Sequence, residues 1–192
     1  MTVDGVWAFS VLGVVGQALV ALLLLIGLLA LFGVRGPLET LRGWLWGYEL
    51  WAAFLVAAVA TGGSLFYSEV ARYIPCELCW YQRLMMYPLS IFLLLMAIWG
   101  ADRAARYIIA LPIVGAGVSI YHMLIGYGAI TEPKACTISA PGGCGTNWIA
   151  TRDFGYLQIE TIALTGFLLL IGFLVLASAG TAESAATLPA DA

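Results

Sequence analysis

The sequence predicts an all-α integral membrane protein with five spanning helices. Three observations carry this. The 192 residues are 62% hydrophobic and 10% charged, with a mean hydropathy of +0.98, where a soluble domain carries about 25% charged residues. The charges are segregated: none lies between Asp4 and Arg35, between Glu49 and Glu69, between Arg83 and Asp102, or between Glu160 and Glu183. Between Arg106 and Glu132 the titratable groups are His122 and tyrosines only. Each window reaches the roughly 20 apolar residues a bilayer-crossing helix needs.

The first window, residues 7–32, exceeds the apolar run of a cleaved leader and starts beside Asp4 rather than a basic cluster, so it reads as a retained helix. The others cover 48–68, 82–100, 106–127 and 157–178. This divides the chain into an N-terminal helix and inner loop (1–47), a helical body (48–178) and an Ala/Thr-rich tail (179–192) that reads as disordered. Five spans place the termini on opposite sides. Trp44, Trp46, Tyr48, Trp51, Trp99, Tyr107, Trp148 and Tyr156 fall at span ends, where aromatic belts sit. No repeat is visible. The net charge of −3 and the lack of a basic run argue against nucleic-acid binding.

Basic residues are tied between the two sides. Arg35, Arg42, Arg103 and Arg106 face one way; Arg72, Arg83, Lys134 and Arg152 face the other. The first set lies in shorter loops, and its higher basic density favours the cytoplasm. The cysteines add to this. Cys76 and Cys79 lie in one loop of the second set, Cys136 and Cys144 in the other, none within a span. Paired cysteines persist outside the cytoplasm. The cysteine loops and the N-terminus are therefore expected to be extracytoplasmic, and the C-terminus cytoplasmic.

Two constellations carry chemistry. In Pro75-Cys76-Glu77-Leu78-Cys79-Trp80-Tyr81-Gln82-Arg83 the CxxC spacing lets two thiols close and reopen a small ring. Pro75 suits helix entry, and a helix start favours a thiolate through its exposed N–H groups and dipole. Arg83 follows Cys79 by four residues, on one helix face, where a guanidinium would stabilise the Cys79 thiolate; Tyr87 extends that stripe by a turn. The plainer alternative for Arg83 is snorkelling to the interface. In the second loop seven residues separate Cys136 from Cys144, and Pro141, Gly142, Gly143 and Gly145 make a bendable turn. That pair reads either as a static staple or as a partner for exchange with the CxxC. A four-thiol zinc site is disfavoured by the C-x7-C spacing, and no metal site is expected. His122 falls at about the depth of Arg83 on another helix, where the two could frame a pocket; a satisfied packing histidine is the plainer reading. Glu160 reads as an interfacial group.

The Cys76–Arg83 run, followed by Met86-Tyr87-Pro88, resembles the signature of the DsbB/BdbC disulfide bond formation proteins. The second cysteine pair, Ser119-Ile120-Tyr121-His122 and Asn147-Trp148…Phe154-Gly155 resemble that family too, so the likeness covers roughly residues 50–178. The short second loop is closer to the BdbC branch. The resemblance implies a four-helix bundle, here with one additional N-terminal helix. It implies a bacterial inner-membrane thiol:quinone oxidoreductase that reoxidises a DsbA/BdbD-like thioredoxin-fold oxidase, with ubiquinone or menaquinone as acceptor. It further implies that Cys136 is attacked by the partner, that Cys144 exchanges with Cys76, and that Cys79 is released as a thiolate toward the quinone. Arg83, His122 and Tyr87 are then the quinone-site residues. Residues 1–47 have no counterpart in the four-span pattern. Two other readings remain: a vitamin K epoxide reductase-like enzyme, and a scaffold with two structural staples.

Overall fold

The computed structural model describes residues 2–139, 142–147, 149 and 155–186. The chain folds as α1 (Thr2–Leu31), α2 (Gly36–Leu45), α3 (Glu49–Leu65) with a π-helical turn at Phe66–Val70, and α4 (Glu77–Trp99). A 3-10 turn, Asp102–Ala104, leads into α5 (Ala105–Ile108) and α6 (Ala110–Gly126); α7 (Lys134–Ser139) and α8 (Ile159–Ala186) follow. Among the described residues there is no strand. Five segments are long and apolar enough to cross a bilayer: Asp4–Leu31, Glu49–Val70, Glu77–Trp99, Asp102–Gly126 and Ile159–Gly180. The protein is thus an all-α, multi-pass membrane protein.

Lipid cannot drive helices together by apolar burial, so close packing must do so. Helices α3, α4, α6 and α8 form the bundle around Leu50, Ala53, Leu89, Leu93, Phe167 and Leu170. Phe167 packs against Gly115 of α6, where any side-chain carbon would overlap its ring. Helix α1 packs outside this bundle along α8, with Gly13 against Ile162 and Gly16 against Thr165. Its N-terminal end also meets the end of α3, through Gly5 on Phe66 and Phe9 on Gly63.

Helix ends obey local chemistry. Cys76 caps α4, its sulfur accepting the Cys79 N–H at 3.3 Å. Gly100 closes α4 in the left-handed conformation at φ +62°. At the start of α8 the Thr161 hydroxyl accepts the Gln158 N–H at 2.8 Å and donates to the Gln158 carbonyl at 2.6 Å.

The structure departs from the sequence reading at three places. Residues 36–45, read as part of an inner loop, form α2, which buries none of its residues; Pro37 sits at its first turn. The tail read as disordered from 179 continues α8 to Ala186, because nothing in Thr181–Ala186 breaks a helix; residues 187–192 lie outside the described set. Cys79, read as a loop residue, belongs to the first turn of α4, inside the spanning segment. Of the span-end aromatics, Trp44, Trp46, Tyr48, Trp51, Trp99, Tyr107 and Tyr156 are exposed, as belt residues should be. Trp148, Arg152 and Phe154 lie outside the described residues.

Candidate active site

Both cysteine pairs meet at one end of the bundle. Cys76, Cys136 and Cys144 are buried together with Leu78 and Ile125, and Cys79 packs against them. Cys136 and Cys144 form a disulfide. Cys76 and Cys79 are thiols with sulfurs 2.9 Å apart. Helix α7 carries Cys136, and the turn at Gly142 (φ +87°) and Gly143 (φ +74°) brings Cys144 back to it. Glu132 holds that turn by accepting the Cys144 N–H.

His122 joins the two pairs. It is 2% exposed and lies on the inward face of α6 with Gly115, Ser119 and Ile125. Its Nε2 lies 2.9 Å from the Cys144 carbonyl and 3.6 Å from the Cys76 sulfur. A carbonyl only accepts, so Nε2 carries a hydrogen; Nδ1 then accepts from the Gln82 amide nitrogen at 3.4 Å. The imidazole thus touches the sulfur of one pair and the backbone of the other.

In the Cys76/Cys79 dithiol this geometry favours charge on Cys76. The thiolate that the sequence set beside Arg83 was Cys79, as released on exchange. Cys76 is the residue that caps the helix and borders His122. Its thiol is pushed down to about 5, chiefly by the Cys79 hydrogen bond and then by His122, against the opposing effect of burial. Arg83 does not spend its hydrogen bond on the sulfur. It donates to the Ser64 carbonyl of α3 at 3.1 Å and lies over the Trp80 ring at 5.2 Å. The i, i+4 spacing set its helix face correctly, but an available carbonyl on the neighbouring helix captured the head group. Tyr87 joins the same seam, its hydroxyl 3.2 Å from the Ser64 hydroxyl.

A cavity of about 370 Å³ opens beside the thiols, and Cys76, Cys79, Arg83, Tyr87 and His122 all line it. Sequence reasoning missed three of its residues. Tyr67, on the π-helical turn, is 6% exposed, and its hydroxyl has no hydrogen-bond partner among the described residues. Glu160, read as interfacial, is instead 5% exposed, because the first turn of α8 tucks it over Gly126, one turn beyond His122. Gln82 is buried against His122; it lay within the recognised CxxC run, but no spacing rule singled it out.

The ligand atoms of Cys76, Cys79 and His122 fall within 4.8 Å of one another, as do those of Glu132, Cys136 and Cys144. In the second set both sulfurs are bonded to each other, so the four-thiol zinc arrangement does not exist in this state.

A dithiol at a helix start, a disulfide beside it and an apolar cavity in a multi-pass bundle define a membrane thiol–disulfide oxidoreductase. The chain belongs to the DsbB family: the family model "Disulfide bond formation protein DsbB" matches residues 46–187. "Disulfide bond formation protein C" of Bacillus subtilis is 40% identical over 132 residues, covering 66% of this chain and 90% of that protein. The "Probable disulfide formation protein" of Deinococcus radiodurans is 42% identical over 100 residues, covering 52% of this chain and 65% of its own length. "Probable disulfide formation protein C 1" of Bacillus anthracis is 35% identical over 130 residues, or 63% and 85% of the two chains. Comparison with solved structures finds no match. The matched segment starts at residue 46, so α1 and α2 precede it. The protein is a membrane disulfide oxidase.

Proposed function

We propose that the enzyme oxidises a DsbA/BdbD-like thioredoxin-fold dithiol protein and passes the electrons to a membrane quinone, ubiquinone or menaquinone, at the extracytoplasmic side of the bacterial inner membrane. The observation that carries this is the continuity of the Cys136–Cys144 disulfide, His122, the Cys76/Cys79 dithiol and an apolar cavity.

The residues fit such an acceptor. The cavity presents a buried donor without a partner among the described residues, the Tyr67 hydroxyl, together with the Arg83 guanidinium and the Tyr87 hydroxyl, which suit a ring carbonyl. Its volume lies in the range of small-molecule sites. When bound, a quinone supplies a two-electron, two-proton sink. Arg83, Tyr67, Tyr87 and His122 would hold and orient it.

The thiol chemistry follows from the chain. The partner's thiolate attacks the Cys136 sulfur, breaking Cys136–Cys144. The freed Cys144 attacks Cys76 of an oxidised Cys76–Cys79 pair, and Cys79 leaves as a thiolate. The partner's second thiol then attacks the mixed disulfide, closing its own disulfide and releasing Cys136. Cys136 attacks Cys144, restoring the loop disulfide, and Cys76 leaves. Low-pKa thiols leave faster, which suits Cys76 to that last step. These steps leave a loop disulfide beside a Cys76/Cys79 dithiol, and the presence of that pairing in the structure supports this order. Re-forming the Cys76–Cys79 bond then releases two electrons and the one proton the pair still holds; the second proton comes from solvent, which received one when the partner's first thiol ionised.

Anaerobic mixing of a reduced thioredoxin-fold oxidase, a quinone and this protein should yield quinol. Quinol formation should vanish in Cys79→Ser and weaken strongly in Arg83→Ala. Normal turnover in Cys79→Ser would refute the route.

A further inference from the structure

We infer that α1, which lies before the family-matched segment, forms one wall of the acceptor cavity and binds the isoprenoid tail of the quinone. This rests on the quinone reading above and names the part of the ligand that α1 receives.

The cavity has a direction. Its polar groups, Cys79, Arg83, His122 and Glu160, gather at the cysteine end of the bundle. Away from that end its walls become apolar: Phe9, Leu12, Val15 and Leu19 from α1 face Leu55 and Val59 from α3. The two helices run antiparallel, since the start of α1 meets the end of α3 at Gly5–Phe66 and Phe9–Gly63. Phe9 and Leu19 are ten positions apart, so the slot descends about 15 Å along the helix axis. That is about half of a hydrocarbon core of roughly 30 Å. A ring seated at Cys79 leaves most of this depth for a linear apolar chain.

Helix α1 is built to leave the slot open. Phe9, Leu12, Val15 and Leu19 recur at helical spacing on one face. Gly13 and Gly16 lie among these positions, line the cavity as well, and bring α1 into close contact with Ile162 and Thr165 of α8. Helix α1 is thus held against α8 at Gly13 and Gly16 and, among the described residues, closely meets the end of α3 at the cysteine end. Between these anchors, Leu12, Val15 and Leu19 stay about half exposed, facing space that α3 does not fill. The orphaned Tyr67 hydroxyl marks the polar end of the same slot, so head and tail groups find matching chemistry in order.

The test compares a tailed quinone with a tail-less analogue of the same ring. In Leu12→Trp/Val15→Trp the KM for the tailed quinone should rise about tenfold, and that for the tail-less analogue should stay within about twofold. Leu24→Trp, exposed on α1 away from the cavity, should change neither. Equal KM changes for both quinones, or none, would overturn the role of α1 while leaving the quinone reading intact. Failure of the unaltered protein to reduce either quinone would overturn that reading itself. A readout independent of turnover uses a tailed quinone bearing a photoreactive group on its chain. Labelled peptides should come from residues 1–33 and be competed by unmodified tailed quinone. Label confined to other helices, or competed equally by phospholipid, would show that α1 does not hold the tail.

Discussion

At the residue scale the site turns on which sulfur holds charge. Cys76 accepts the Cys79 N–H at the helix cap and borders the His122 Nε2, and its thiol is lowered from 9.0 to about 5. Thiolate absorbance should therefore titrate with a midpoint near 5 while the loop disulfide stays closed. Cys79→Ala and His122→Ala should each move it upward; a midpoint near the ordinary cysteine value of about 8.5 would contradict the arrangement. The linkage sign follows. A depressed folded-state pKa means the Cys76 thiolate contributes fully to stability above its ordinary value and loses that contribution as pH falls through about 5. Tyr67 allows a second residue-scale prediction. Its hydroxyl is buried without a partner among the described residues, so Tyr67→Phe should leave the thermal midpoint unchanged or raised. The same change should weaken acceptor affinity by about 1 kcal/mol, roughly fivefold, read as KM for the quinone. A lost midpoint with unchanged KM would show that the hydroxyl serves the fold.

At the element scale the bundle depends on close helix approach. Phe167 of α8 is fully buried against Gly115 of α6. Phe167→Ala should cost about 3–5 kcal/mol, read as a lowered thermal midpoint in detergent. Gly115→Val should cost about 1–3 kcal/mol by overpacking the same contact. Neither change touches a cysteine, so both variants should still close the Cys136–Cys144 disulfide below their midpoints. The elements were legible to differing degrees. Charge-free windows located all five spans to within several residues, because lipid demands long uncharged runs. Helix α2 was not seen, since its ten residues lack a buried face that periodicity could reveal. Helix α7 was hidden for a similar reason: six residues carry too little pattern to outweigh the Pro and Gly signals that follow.

At the scale of the whole molecule the decisive feature is convergence of two loops on one end of the bundle. Impermeant thiol reagents applied to reduced protein in sealed, oriented vesicles should reach Cys136 and Cys76 from the same side; protection of one from each side would break the relay. The chain's length beyond the family match is also a whole-molecule matter. Helix α1 makes no part of the four-helix core, yet it lines the cavity beside the thiols, so its contribution should appear in acceptor preference rather than in thiol exchange with the partner.

The sequence by itself determined the membrane class, the spans, the two cysteine pairs and the chemical family. Each rests on local information: uncharged runs, the CxxC spacing, and the Cys76–Arg83 run. Tertiary structure alone decided that Cys76 caps α4 and borders His122, that Arg83 donates to the Ser64 carbonyl, and that Tyr67, Gln82 and Glu160 are buried at the site. The reason is physical. A pKa and a hydrogen-bond partner depend on atoms within a few ångströms, and here those atoms come from helices that lie dozens of residues apart in the chain.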